Sequence, residues 1–170
     1  MTDSTNGGPT TGPRPLALNR NAVALTADPQ LLDRACSYTA GILDGEGTIS
    51  VHRRPEKIHR APVLQIRVVN TNPLLAQWLV HWWGGSVSLR RSKNPRHKDV
   101  YQWGLWSRQA EALLRLCAPS MVIKGEQAAL ALAIRDLVVS RNQAPSDAAI
   151  IKMAALNADL KVLNARGRCA

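Results

Sequence analysis

Two carboxylates, Asp44 and Glu46, stand either side of a glycine in the segment Thr39-Ala40-Gly41-Ile42-Leu43-Asp44-Gly45-Glu46-Gly47. Carboxylate oxygens hold hard divalent cations. A divalent cation beside a phosphodiester neutralises the phosphate, lowers the pKa of a water and stabilises the leaving oxygen. Thr48-Ile49-Ser50-Val51 follows with strand-like alternation, and then a strongly basic turn. The acid is therefore delivered onto a positive surface, and the chemistry to expect is metal-assisted attack on phosphate. An isolated acid at a helix end is ordinarily just solvated, but this one leaves its helix between two glycines.

The elements that must position Glu46 begin upstream. Ser37, Gly41 and Gly45 recur at i, i+4 and i+8, with Ala40 beside them. Glycine inside a helix costs about 0.5–1 kcal/mol relative to alanine, so Gly41 needs a reason. A stripe of small side chains lets another backbone approach more closely than the usual ~8–10 Å between helix axes. Packing against the chain's own sheet is one explanation. Contact with a second copy across a two-fold axis is the other; it would converge two Glu46 carboxylates and account for one motif per chain. On that reading Ser37, Ala40, Gly41 and Gly45 form a dimer interface.

With 170 residues the chain suits one domain, and its net charge of +10 makes polyanions its natural partners, nucleic acid before acidic membrane. No apolar run approaches the ~18 residues of a membrane span, and Met1 to Pro15 carries no secretion signal. Cys36, Cys117 and Cys169 form neither a zinc pattern nor a disulfide framework, which fits a reducing cytoplasm. His52, His59, His81 and His97 lack ligand spacing.

Residues 1–27, polar and rich in Pro and Gly, read as a loosely held leader. Asp28-Pro29 is a cap followed by proline, opening a helix through Leu31, Leu32, Ala35, Tyr38 and Ile42 to about Leu43. Ile49 and Val51 alternate with polar residues, as do Leu64, Ile66 and Val68, giving a hairpin around a basic loop. Asn72-Pro73 repeats the cap signal, and Gly84-Gly85 closes that helix. A second hairpin follows (Val87, Leu89; Tyr101, Trp103, Leu105) around a second basic loop, then a helix capped by Ser107, one over 125–139, and one opened by Ser146. The expected fold class is α+β, helix-hairpin-helix-hairpin-helices, with four antiparallel strands covered by helices on one face only. The domain spans 28–165, and 166–170 is a tail.

Strand parity assigns the open face. Opposite the core positions lie Thr48, Ser50, His52 and Arg54, Gln65 and Arg67, Ser88 and Arg90, and Gln102. Arg and Gln read guanine and adenine edges in the major groove. The loop residues Arg53, Lys57, Arg60, Arg91, Lys93, Arg96 and Lys98 would meet phosphates. Trp78, Trp82, Trp83, Trp103 and Trp106 sit among apolar neighbours and are assigned to the core or its second layer.

The segment from Thr39 to Gly47 resembles the signature of the LAGLIDADG homing endonucleases: Ala40, Gly41, Asp44 and Gly47 are identical to it, and Ile42, Leu43, Gly45 and Glu46 are conservative variants. The order of elements, Asn-Thr-Asn-Pro before the second helix, Gly-Gly before the third strand, and the run from Pro119 to Lys124 are similar too. The resemblance implies a saddle-shaped sheet, a homodimer, double-stranded DNA as partner and Mg²⁺ or another divalent cation such as Mn²⁺ as cofactor. It implies no membrane and no small-molecule substrate. Glu46 would bind the metal with the backbone carbonyl of Gly45, and Asp44 would fix the end of the motif helix. Asn70 would position water, with Thr71 the alternative if the register slips. Lys124 would stabilise transition-state charge, although a cation near a helix start is disfavoured by the dipole. The implied activity is site-specific cleavage of a long, partly palindromic duplex leaving short 3′ overhangs, with the gene mobile in an intron, an intein or free-standing. The alternatives are a non-cleaving DNA-binding descendant and an RNA-splicing maturase.

Overall fold

The computed structural model describes residues 19, 22, 27–52, 62–138 and 145–166. Most of the leader and the tail lie outside the described residues, as do Arg53, Arg54, Lys57 and Arg60 of the first basic loop.

The motif helix α1 (Pro29–Glu46) starts where Asp28 accepts the N–H groups of Gln30 and Leu31, with Pro29 at its first turn. It runs three residues past the expected end, because the N–H of Gly47 still donates to the carbonyl of Leu43. That closeness leaves no room for a side chain: a Cβ on Gly47 would fall 2.6 Å from the same oxygen. Strand β1 (Gly47–His52) follows directly and pairs with β2 (Val63–Asn70). Helix α2 (Pro73–Trp83), capped by Asn72, leads to β3 (Ser86–Arg90) and β4 (Val100–Trp106). The chain ends in α3 (Ser107–Cys117), a short 3-10 turn (Ala118–Ser120), α4 (Gly125–Asp136) and α5 (Asp147–Arg166). The sheet is wholly antiparallel, in the order β1-β2-β4-β3, so each hairpin contributes one central and one outer strand. This is the α+β architecture the alternation implied.

The core lies on one side of the sheet. Leu43, Ile49, Leu64, Ile66, Leu79, Trp103, Leu105, Leu113 and Ile134 are fully buried there. Burying each such side chain favours folding by about 1.5–3 kcal/mol. Within this apolar mass Thr39 donates to the carbonyl of Ala35 and accepts from the Trp83 indole N–H, so neither polar group is stranded. Arg135, also buried, donates to Glu111 and to the carbonyl of Pro62, tying α4 to the start of β2.

Three expectations need correcting. The motif helix is rotated from the expected register: Ala35, Cys36, Thr39, Ala40 and Leu43 face the core, whereas Tyr38 is 55% exposed. Ala40 is thus enclosed by its own chain and is no part of a seam with another. Ser107 does not cap α3; it adopts a left-handed φ of 51°, and the strand runs into the helix with no side-chain cap. Trp106 is not a core residue, since its position in β4 puts it on the open face, 39% exposed.

Candidate metal centre and basic face

At the end of α1 the two carboxylates have different surroundings. Asp44 accepts from the backbone N–H groups of Val122 (2.7 Å), Ile123 (3.2 Å) and Lys124 (2.8 Å). Burial alone would raise its pKa, but these three donors and the nearby Lys124 ammonium bring it below the usual carboxylate value. Lys124 reciprocates: its Nζ donates to the carbonyls of Leu43, Asp44 and Gly47, each at 2.8 Å. A cation at a helix C-terminus is favoured by the helix dipole, so Lys124 does not bear the cost of sitting at the start of its own helix. Burial lowers its pKa, opposed by the charges of Asp44 and Glu46.

To the role expected of Lys124 the structure adds a contact that the sequence did not reveal. All three ammonium hydrogens are committed to the end of α1. The carbonyls it takes are those of residues 43, 44 and 47; the carbonyl of Gly45 is left out.

Glu46 is exposed and, among the described residues, makes no hydrogen bond or ion pair; Lys124 acts on it only through its field. The Glu46 carboxylate and the Gly45 carbonyl are both oxygen donors, the kind Mg²⁺ and Ca²⁺ take. Among the described residues no three His, Cys, Asp or Glu side chains gather as metal ligands. One chain therefore offers a fitting but incomplete donor set. Asn70 ends β2 on the side of the sheet where α1 passes into β1, and its Oδ1 accepts the N–H of Asn72, leaving its amide hydrogens uncommitted among the described residues. Thr71 follows as an exposed bend.

The outward face of α1 carries Ser37, Gly41 and Gly45, all exposed. A Cβ at Gly41 or at Gly45 would meet nothing within 4 Å, unlike one at Gly47. Packing among the described residues therefore does not explain these two glycines. Beside them stand Val122 and Ile123, 90% and 70% exposed, held outward because Asp44 binds their backbone. Sequence reasoning missed this pair; an apolar doublet outside any helical pattern was the available signal.

On the open face the register aligns Thr48 with Arg67, Ser50 with Gln65, and Ser88 with Gln102, with Arg90 at the end of β3. His52 Nε2 lies 3.0 Å from both Ser50 Oγ and Gln65 Oε1, knitting three of the expected residues together. Arg91, Lys93, Arg96 and Lys98 are exposed on the second loop. That loop is shaped by the Ser92 N–H on Asp99 and the Arg96 N–H on Asn94. No helix among the described residues is long and apolar enough to cross a membrane.

No family profile matches the sequence, and neither does any curated protein. Solved structures do match. The homing endonuclease I-CvuI, in complex with the I-CreI target and uncleaved DNA at 2 mM Mg, superposes with a TM-score of 0.61 at 15% identity, over 78% of this chain and 83% of that one. The archaeal intron-encoded homing endonuclease I-Vdi141I, complexed with DNA, gives 0.62 at 15% identity, over 77% and 84%. The LAGLIDADG homing endonuclease I-SmaMI, bound to cleaved DNA, gives 0.57 at 18% identity over 79% of this chain but 48% of its own. At such identities the likeness is one of fold: the chain has the LAGLIDADG homing endonuclease fold.

Proposed function

We propose that the protein is a site-specific double-strand DNA endonuclease that works as a homodimer and depends on a divalent cation. The observation that carries this reading is the Glu46 carboxylate, unpartnered beside the Gly45 carbonyl at the edge of an open basic sheet. The fold shared with DNA-bound homing endonucleases supports the substrate class.

Each copy contributes half a centre. The open stripe of Ser37, Gly41 and Gly45, extended by Val122 and Ile123, meets its twin and brings two Glu46 side chains together. That this chain covers about half of I-SmaMI is in keeping with a second copy supplying the rest. Glu46 and the Gly45 carbonyl hold Mg²⁺, or Mn²⁺ in its place. A cation bound there supplies charge neutralisation at the phosphate and acidity to a water. Asn70 orients water through its amide hydrogens. Lys124 is a positioning residue that fixes the end of α1 and so the direction of Glu46. Thr48, Ser50, His52, Gln65, Arg67, Ser88, Arg90 and Gln102 face the major groove, and the basic loops hold phosphates. The target is long and partly palindromic, cut across the minor groove to leave short 3′ overhangs.

One observation favours a second reading, a DNA-binding descendant that no longer cuts: the ammonium of Lys124 is fully occupied. Incubation with duplex DNA spanning its own gene's insertion site, with Mg²⁺, separates the two. Wild type is expected to cut both strands and Glu46→Gln to bind without cutting. Binding without cutting by both would establish the second reading, and binding to RNA alone would remove both.

A further inference from the structure

On the open face, polar side chains differ in whether the fold has already satisfied them. Gln65 Oε1 accepts from His52 Nε2 at 3.0 Å, so one lone pair of its carbonyl is already taken and its direction is set by the imidazole. A glutamine that reads adenine needs both amide ends. Arg67 is the opposite case. Its Nε is buried with no acceptor, and no hydrogen bond or ion pair engages the guanidinium among the described residues. Native structures seldom leave a buried charged donor unmatched.

The residues across from Arg67 explain how it is held. In the β2–β4 register Arg67 faces Gly104 and Gln65 faces Trp106. The Trp106 indole does not point straight out; it lies back over Gly104, where a Cβ would fall 2.9 Å from the ring. Gly104 is glycine because the ring occupies the space of a side chain. Because Gly104 is the register partner of Arg67, the ring lies across the strand pair from the Arg67 stem on the open face.

We propose that Trp106, seated over Gly104, is a positioning residue that aims the terminal amino groups of Arg67 at one guanine in each half of the DNA target. Burial of Nε leaves Nη1 and Nη2 as the fork, and paired N–H donors match the O6 and N7 acceptors of guanine. Gln65, its carbonyl shared with His52, meets a neighbouring pair and discriminates less. The inference rests on the endonuclease reading and adds which residue selects which base.

The test is selection of bound duplexes from a randomised double-stranded DNA library with Ca²⁺ present, for wild type, Arg67→Ala, Gly104→Ala, Trp106→Ala and Trp106→Tyr. Wild type is expected to select a motif with one strongly preferred guanine per half-site. Arg67→Ala should lose that preference by roughly five- to hundredfold while keeping the others. Gly104→Ala and Trp106→Ala, which leave Arg67 in place, should weaken preference at the same position only, and Trp106→Tyr should restore part of it. Far-UV circular dichroism checks that each variant is folded, and Arg67→Ala stands as the test if Gly104→Ala is not. A motif unchanged in Arg67→Ala, or lost evenly across all positions in the Trp106 variants, overturns this inference and leaves the endonuclease reading intact. Failure of wild type to select any duplex overturns both.

Discussion

Asp44 and Glu46 are the same chemical group two residues apart on one helix end, and the fold treats them oppositely. Asp44 is saturated by three backbone donors and stands in the field of a lysine that caps its own helix. Glu46 reaches past the same helix end and, among the described residues, makes no hydrogen bond or ion pair. A carboxylate surrounded by satisfied donors holds structure together; one without such donors among the described residues is available for a ligand. The clamp between residues 44 and 124 explains why the bare acid is rigidly delivered, since it pins both the helix end and the loop before α4.

The largest effect should come from the side that Glu46 faces. If its missing partners belong to a second copy, Gly41→Leu overpacks the seam without touching this chain's interior, where a Cβ meets nothing within 4 Å. Overpacking of about 1–3 kcal/mol predicts a dimer dissociation constant raised roughly five- to hundredfold, read by analytical ultracentrifugation, with folding intact by circular dichroism. A variant that still dimerises like wild type would separate Glu46 from the seam.

Asp44→Asn probes the saturated side. One acceptor oxygen and the charge are lost while Val122 to Lys124 keep their N–H groups, so stability should fall by about 1–3 kcal/mol in urea unfolding. An unchanged midpoint would mean the clamp holds nothing. Lys124→Met leaves three carbonyls of a partly exposed helix end to water, and about 1 kcal/mol of destabilisation is expected. As a positioning residue it should also lower the cleavage rate while leaving the affinity for duplex DNA within about twofold, a split that a purely stabilising cap would not produce.

The smallest effect is in pH. Because Asp44 has a folded-state pKa below its unfolded value of about 3.9, its contribution is present above that value and is lost as pH falls through the folded pKa. Acid unfolding of wild type should therefore steepen below about pH 4, and Asp44→Asn should flatten that limb. Equal slopes would contradict the clamp.

Much of this was legible in the sequence where the physics is local. Asp28-Pro29 and Asn72-Pro73 opened helices as read, because a cap and its N–H partners lie within three residues. Alternation placed Leu64, Ile66 and Val68 inside and Gln65 and Arg67 outside. The rotation of α1 was not legible, since small residues occur on both its faces and only the core distinguishes Ala40 from Gly41. The contacts of Lys124 were not legible because its partners lie about eighty positions away in sequence, at the C-terminus of another helix. For Trp106, assigned to the core or its second layer, continuing the alternation Gln102, Gly104 by two residues puts it on the open face, where its ring packs over Gly104.

The most direct test of the division between the two acids is to measure thermal midpoint and Mg²⁺-dependent cleavage for Glu46→Gln and Asp44→Asn side by side. Loss of a metal ligand removes several kcal/mol of transition-state stabilisation, so Glu46→Gln should cut at least about a thousandfold more slowly with its midpoint unchanged. Asp44→Asn should melt several degrees lower, by roughly 2–4 °C per kcal/mol for a domain near this size, and still cut once folded. A Glu46→Gln variant that cuts like wild type, or an Asp44→Asn variant that is stable but inactive, would contradict the assignment.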